Sequence, residues 1–202
     1  MKYIEILVKN YPSISEIKTT IESATQQLID TFRIGNKVLV CGNGGSAADS
    51  EHIAGELMKG FLKSRALSDE DKQKFGEISG KLQYGLPCIP LTSFSALNTA
   101  VINDNSADMI FAQSVMALGC ENDTLIALST SGNSNNVVNA AKVATAKGLN
   151  IISITGENES ALSEISDITI RIPEKETYRI QELTLPVYHA ICAEIEDFFF
   201  KK

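Results

Sequence analysis

A three-layer αβα domain, doubly wound on a five-stranded parallel sheet, is the fold class this sequence predicts, and two patterns predict it. Short runs of Val, Ile and Leu bounded by turn residues recur along the chain, as strands buried on both faces do. Between them lie stretches with apolar residues at helical spacing, and strands alternating with helices imply a parallel sheet covered on both sides.

The strand segments are 37-KVLVC-41, 86-LPCIPL-91, 124-TLIAL-128, 150-NIISIT-155 and 168-ITIRI-172. The spacing predicts a long helix over 13–34 before the first strand, helices over 46–60, 106–119 and 135–147 between strands, and a long helix over 175–200 at the end. The segment 63-KSRALSDEDKQKFGEISGKLQYG-85 is a polar insertion that reads as a solvated surface hairpin, with Ser68 and Asp71 at capping-box spacing for a short helix. No repeat of solenoid period interrupts the pattern, so residues 1–202 read as a single domain.

The net charge of -7 and the lack of any cluster of Lys and Arg argue against a nucleic-acid surface. The N-terminus, MKYIEILVKNYPS, breaks its apolar residues with charges too early for a signal peptide, and no run approaches the roughly 20 apolar residues of a membrane span. A cytoplasmic protein with no membrane partner is expected. Cys41, Cys88, Cys120 and Cys192 are far apart and form no C-x-x-C pair, so they read as thiols in a reducing compartment.

Doubly wound sheets bind ligands beyond the carboxyl ends of their strands, where the winding direction reverses. Two loops match that expectation: 42-GNGGSAADS-50 after the first strand and 129-STSGNS-134 after the third. The first lacks the third glycine of G-x-G-x-x-G, and G-x-x-x-x-G-K-[ST] is absent, which disfavours a dinucleotide or nucleoside triphosphate. The second places Ser129, Thr130, Ser131 and Ser134 before a helix N-terminus, with Gly132 allowing close backbone approach. Hydroxyls, amides and a helix dipole together suit the phosphate of a small metabolite. The plainer role for Ser134 is to cap the following helix.

The two histidines mark the chemistry. His52 and Glu56 are four apart, on one face of the helix after the glycine loop. His189 follows Gln181 by eight residues, two turns on and about 80° around a helix. Pro186 lies between them and removes one ladder N–H.

The combination 41-CGNGGSAADSEHIAGEL-57, 103-ND-104, 128-LSTSGNSNNVV-138 and 179-RIQELTLPVYH-189 resembles the phosphoheptose isomerases, members of the SIS (sugar isomerase) family with its flavodoxin-like domain. The resemblance runs from about residue 15 to residue 196, with four motifs in order. It implies an aldose–ketose isomerase converting sedoheptulose 7-phosphate to D-glycero-D-manno-heptose 7-phosphate, the first step toward heptose units of lipopolysaccharide, capsule or other surface glycans. By the same resemblance Glu56 is the carbon base and His189 moves the oxygen proton. His52, Glu56, Gln181 and His189 would surround one zinc ion per subunit, an exchangeable or partly occupied one. Asn43, Gly44, Gly45 and Ser46 would line the sugar, with Gln181, and with Asn103 and Asp104 from the loop after the second strand; Ser129, Thr130, Ser131 and Ser134 would hold the phosphate. A homotetramer is implied too, and the apolar residues of 14–35 and the aromatic tail 198-FFFKK-202 fit subunit packing. The insertion at 63–85, the segment 58-MKGFLK-63 and Tyr178 depart from the family pattern. Two alternatives stay open: another phosphosugar as substrate, or a non-catalytic SIS protein that binds the replication initiator.

Overall fold

The computed structural model describes residues 1–200; Lys201 and Lys202, the end of the tail, lie outside the described residues. Helix α1 (Lys2–Asn10), a 3-10 turn (Pro12–Ile17) and α2 (Lys18–Arg33) precede β1 (Val38–Cys41). After β1 come α3 (Gly45–Met58), α4 (Asp69–Phe75), β2 (Cys88–Pro90), α5 (Ser95–Asp104) and α6 (Ile110–Leu118). The rest is β3 (Thr124–Leu128), α7 (Asn135–Ala146), β4 (Asn150–Thr155), α8 (Ala161–Ile165), β5 (Ile168–Arg171) and α9 (Thr177–Phe199).

All strand pairs are parallel, in the order β2-β1-β3-β4-β5, so the expected doubly wound fold is present. Alternation of side chains splits the core into two layers. Val38, Val40, Ile126, Leu128, Ile152 and Ile154 face α1, α2, α3 and α9, while Leu39, Leu125 and Ile151 face α6, α7 and α8. Every residue of β3 is buried. With each such aliphatic side chain contributing about 1.5–3 kcal/mol on burial, a one-residue slip of β3 gains nothing on either face and costs its register with two neighbours.

The N-terminal region differs from the expected single helix over 13–34. Pro12, which fixes φ and donates no N–H, opens a 3-10 turn, and α2 starts only at Lys18. Helix α1 has no local capping signal, because its N-terminus is capped from far away: Glu194 of α9 accepts from the amides of Tyr3 (2.5 Å) and Ile4 (3.2 Å). Helix α5 carries no apolar stripe for the sequence to show, because only Val101 of its ten residues is buried. The helix expected over 106–119 is a 3-10 turn, Ala107–Met109, followed by α6. Helix α9 runs on through Pro186.

The insertion is folded, and its base is not solvated. An antiparallel bridge joins Ala66 to Gln83, Ser68 accepts from the amide of Asp71 (3.1 Å) to cap α4, and Arg65 and Leu67 are buried. The Arg65 guanidinium donates to Glu196 (2.8 Å) and to the carbonyl oxygens of Leu57 (2.6 Å) and Glu56 (3.0 Å), at the end of α3. Glu196 also accepts from the amides of Phe61, Leu62 and Lys63. A pair removed from water needs this full set of partners. Cys41, Cys88 and Cys192 are buried, Cys120 is exposed, and all four are free.

Candidate active site

The order β2-β1-β3 puts the winding reversal between β1 and β3, so the two loops singled out in the sequence leave adjacent strands. A cavity of about 230 Å³ opens there, lined by Asn43, Gly44, Gly45, Ser46, Ser129, Thr130, Ser134 and Gln181, with Thr177 at its edge. Ser134 sits at the N-cap of α7 but makes no side-chain cap bond; its Oγ lies 3.0 Å from Ser129 Oγ. Capping is therefore not the role of Ser134, and its hydroxyl faces the cavity with that of Ser129.

Other assignments in these loops shift. Ser131 lines a neighbouring cavity of about 280 Å³ with Asn133, Asn158, Glu159 and Glu174, and Thr130 and Thr177 border both. Gly132 has φ +66°, and a Cβ there would overlap the Ser160 hydroxyl, so packing against the start of α8 requires glycine, rather than ligand approach. Asn43 is held by reciprocal amide bonds to Asn136 of α7 (2.8 and 2.9 Å), which tie the two loops together. Asn103 and Asp104 belong to the last turn of α5, not to a loop; Asn103 donates to Asp104 (2.8 Å), and α5 packs on α6 and the 107–109 turn rather than on α3 or α9.

Helices α3 and α9 pack side by side. At one end Gln181 lies against Gly45, where a Cβ would come within 2.7 Å of the Gln181 amide nitrogen. At the other, the rings of His52 and His189 meet edge to face with centroids 4.9 Å apart. The two contacts are seven and eight residues apart, so the helices run in the same direction and about 11 Å of helix separates the ends.

The histidine end holds the groups expected from the sequence to act as acid and base. His52 Nε2 is 3.1 Å from Glu56 Oε1 and 3.4 Å from His189 Nε2, so His52 stands between the two residues expected to act. Lys59, unnoticed in the sequence, brings its ammonium 3.4 Å from the other Glu56 oxygen. Burial lowers the pKa of His189; the nearby His52 pushes the same way and Glu56 opposes. Tyr188, also unnoticed, is buried, and its hydroxyl lies 3.1 Å from Asp49 Oδ1 and 2.9 Å from His52 Nδ1. Burial raises the pKa of Asp49 against the pull of Tyr188 and His52, and burial followed by the Asp49 charge raises that of Tyr188.

Two edges of the donor set suit zinc. Donor separations of 3.1 and 3.4 Å match the edge of about 3.3 Å that a tetrahedron with zinc bonds near 2.0–2.1 Å has. Gln181 stands apart at the Gly45 end, and among the described residues no group of three His, Cys, Asp or Glu side chains is arranged to hold a metal ion. The four-residue shell suggested by the sequence is not preformed within one chain.

Comparison with known proteins matches this architecture. SIS domain families match residues 2–82 and 96–193. A phosphoheptose isomerase of Aneurinibacillus thermoaerophilus is 36% identical over 186 residues, 92% of this chain and 85% of that protein. One from Synechocystis is 39% identical over 180 residues, covering 89% of this chain and 84% of the relative. Among solved structures, a phosphoheptose isomerase from Francisella tularensis superposes with a TM-score of 0.80 at 30% identity, over 97% of this chain and 95% of that one. GmhA, the phosphoheptose isomerase of Neisseria gonorrhoeae, gives 0.78 at 29% identity, over 93% and 91%. This chain belongs to the phosphoheptose isomerase family of SIS-domain proteins.

Proposed function

We propose that this protein is an aldose–ketose isomerase that converts sedoheptulose 7-phosphate to D-glycero-D-manno-heptose 7-phosphate, opening heptose biosynthesis for surface glycans. The observation that carries the reading is the placement of Glu56 and His189 on either side of His52 at one end of the α3–α9 contact, while its other end, Gly45 and Gln181 about 11 Å of helix away, lines the same cavity as Ser129 and Ser134. That span is of the order of an extended seven-carbon chain with a terminal phosphate.

Phosphate held by Ser129, Thr130 and Ser134 at the start of α7 fixes one end of the substrate, and this remote binding energy places the carbonyl end beside Glu56. Glu56 takes the C1 proton of the ketose, leaving an enediol, and returns a proton to C2. His189, neutral because burial disfavours its charged form, carries a proton from the oxygen on C1 to the oxygen on C2. The carbonyl moves from C2 to C1 with no net change in atoms or electrons. Zinc on the His52, Glu56 and His189 donors, with Gln181 drawn in, would supply a Lewis acid for the two oxygens.

Three further assignments belong to this reading. A homotetramer is supported by an open groove of about 190 Å³ that is walled by Tyr3, Ile6, Phe61, Leu62 and His189, in which Leu62 remains 55% exposed. Among the described residues no helix is long and apolar enough to cross a membrane; with four free thiols, we place the protein in the cytoplasm. A non-catalytic SIS role is disfavoured because Glu56, His52 and His189 are retained and adjacent.

The test is turnover by purified protein of phosphorylated ketoses with seven, six and five carbons. The highest kcat/KM is expected for sedoheptulose 7-phosphate; preference for a hexose phosphate would defeat the heptose assignment.

A further inference from the structure

Helix α3 ends in a cation that turns back on Glu56. Lys59 is its C-cap residue, with extended backbone (φ -140°, ψ 176°), so the chain leaves the helix there. The side chain folds the other way: its ammonium lies 3.4 Å from Glu56 Oε2 and 3.2 Å from the carbonyl oxygen of Gly60. The insertion fixes the turn that aims it. Gln83 accepts from the amide of Gly60 (2.8 Å), and a Cβ on Gly60 would come within 2.5 Å of the Gln83 oxygen and of the Lys63 carbonyl oxygen, so glycine is required there. Gln83 is bridged to Ala66, the neighbour of Arg65, whose guanidinium holds the Glu56 carbonyl. The insertion therefore governs both the backbone of Glu56 and the cation at its carboxylate. An ammonium has three hydrogens to donate. Two have partners in Glu56 and Gly60, and the third has none among the described residues. The Lys59 side chain is 62% exposed and that of Glu56 14%, so a ligand can reach both groups from the open side.

We propose that Lys59 is a further catalytic residue of the isomerase, its ammonium stabilising the substrate oxygen that turns negative when Glu56 removes the C1 proton, and that Gln83 is the residue that positions it. The assignment rests on the isomerase reading of Glu56. In that step the C1–H electron pair becomes the C1–C2 double bond, the carbonyl pair moves onto the C2 oxygen, and the proton goes to Glu56. One negative charge thus passes from Glu56 to the substrate. Lys59 keeps its three protons and exchanges Glu56 Oε2 for the new oxyanion. A cation already in place where charge develops needs no reorganisation, so it favours the transition state over the bound ketose.

The experiment compares the full-length native protein with Lys59→Met, Lys59→Arg and Gln83→Met. Two readouts are used: turnover of sedoheptulose 7-phosphate, and binding of a phosphorylated six-carbon hydroxamate whose two oxygens stand for those of the enediolate. Lys59 is exposed, so its replacement should leave the thermal midpoint in place. Lys59→Met should lower kcat about 100-fold with KM within about 3-fold of native, and Lys59→Arg, which keeps the charge, should recover most of the loss. Gln83→Met should lower kcat about 10-fold by loosening the turn. In Lys59→Met the hydroxamate should lose about 100-fold in affinity while the ketose phosphate loses little. A native kcat in Lys59→Met or Gln83→Met overturns the proposal. So does equal weakening of hydroxamate and ketose, which would make Lys59 a ground-state contact. A native protein that leaves sedoheptulose 7-phosphate unchanged, yet binds the hydroxamate with the stated dependence on Lys59, refutes the heptose assignment and upholds that of Lys59.

Discussion

Arg65 and Glu196 form an ion pair at 2.8 Å with both side chains at most 1% exposed. Between them they bind the last carbonyls of α3 and the amides of residues 61–63. The carbonyl of Glu56, the expected carbon base, is one of those held. The pair thus joins the insertion, the end of α3 and α9.

Breaking that pair from one side strands a charge in the core. Arg65→Met should destabilise the protein by about 3–5 kcal/mol in urea unfolding, whereas Arg65→Met combined with Glu196→Leu should recover part of the loss. Equal stability of the two variants would show that Glu196 finds other compensation.

Two serines at helix starts should behave in opposite ways. Ser160 is a true cap, accepting from the amide of Ser163 (3.3 Å), so Ser160→Ala should cost about 1 kcal/mol of stability. Ser134 makes no such bond. Ser134→Ala should leave the thermal midpoint in place and lower kcat/KM about 10- to 100-fold, the worth of a hydrogen bond to a charged group.

Cysteine labelling should find one site. The thiolate is the reactive form, and burial pushes the Cys41 and Cys192 thiols up to about 12 and raises Cys88 well above its ordinary value. With the native protein at pH 8, a disulfide reagent should therefore modify Cys120 alone, and all four only after denaturation. Rapid labelling of a second thiol in the native state would contradict the packing of the sheet.

Gly45 and Gln181 test how tightly α3 and α9 must fit. A methyl group at Gly45 would come within 2.7 Å of the Gln181 amide, forcing that side chain out of the cavity. Gly45→Ala should lower kcat/KM about 100-fold, as misplacement by an ångström or so does, while the circular dichroism of the fold is retained.

The sequence made parts of this legible and hid others for physical reasons. The segments 124–128 and 150–155 coincide with β3 and β4, because strands covered on both faces need unbroken apolar runs. The loops after β1 and β3 were legible through their glycines and hydroxyls, and His52 with Glu56 through helical spacing. Spacing cannot aim a side chain within a turn, so Ser131 faces a different cavity from Ser129. Nor does it reveal partners far apart in the chain: Glu194 capping α1, Glu196 meeting Arg65, and Tyr188 meeting Asp49 all join distant segments. The same limit hides that Gln181 lies against Gly45, at the other end of α9's contact with α3 from His189.

In the proposed reaction Glu56 moves a carbon-bound proton of a phosphorylated sugar held at Ser129 and Ser134. Its most direct test is incubation of the native protein and Glu56→Gln with sedoheptulose 7-phosphate in deuterated water, reading deuterium at C1 of the ketose and C2 of the aldose. The native protein should exchange these positions, and Glu56→Gln should slow exchange by about 100- to 10,000-fold while still binding the phosphorylated sugar. Exchange at the native rate in Glu56→Gln would contradict the account.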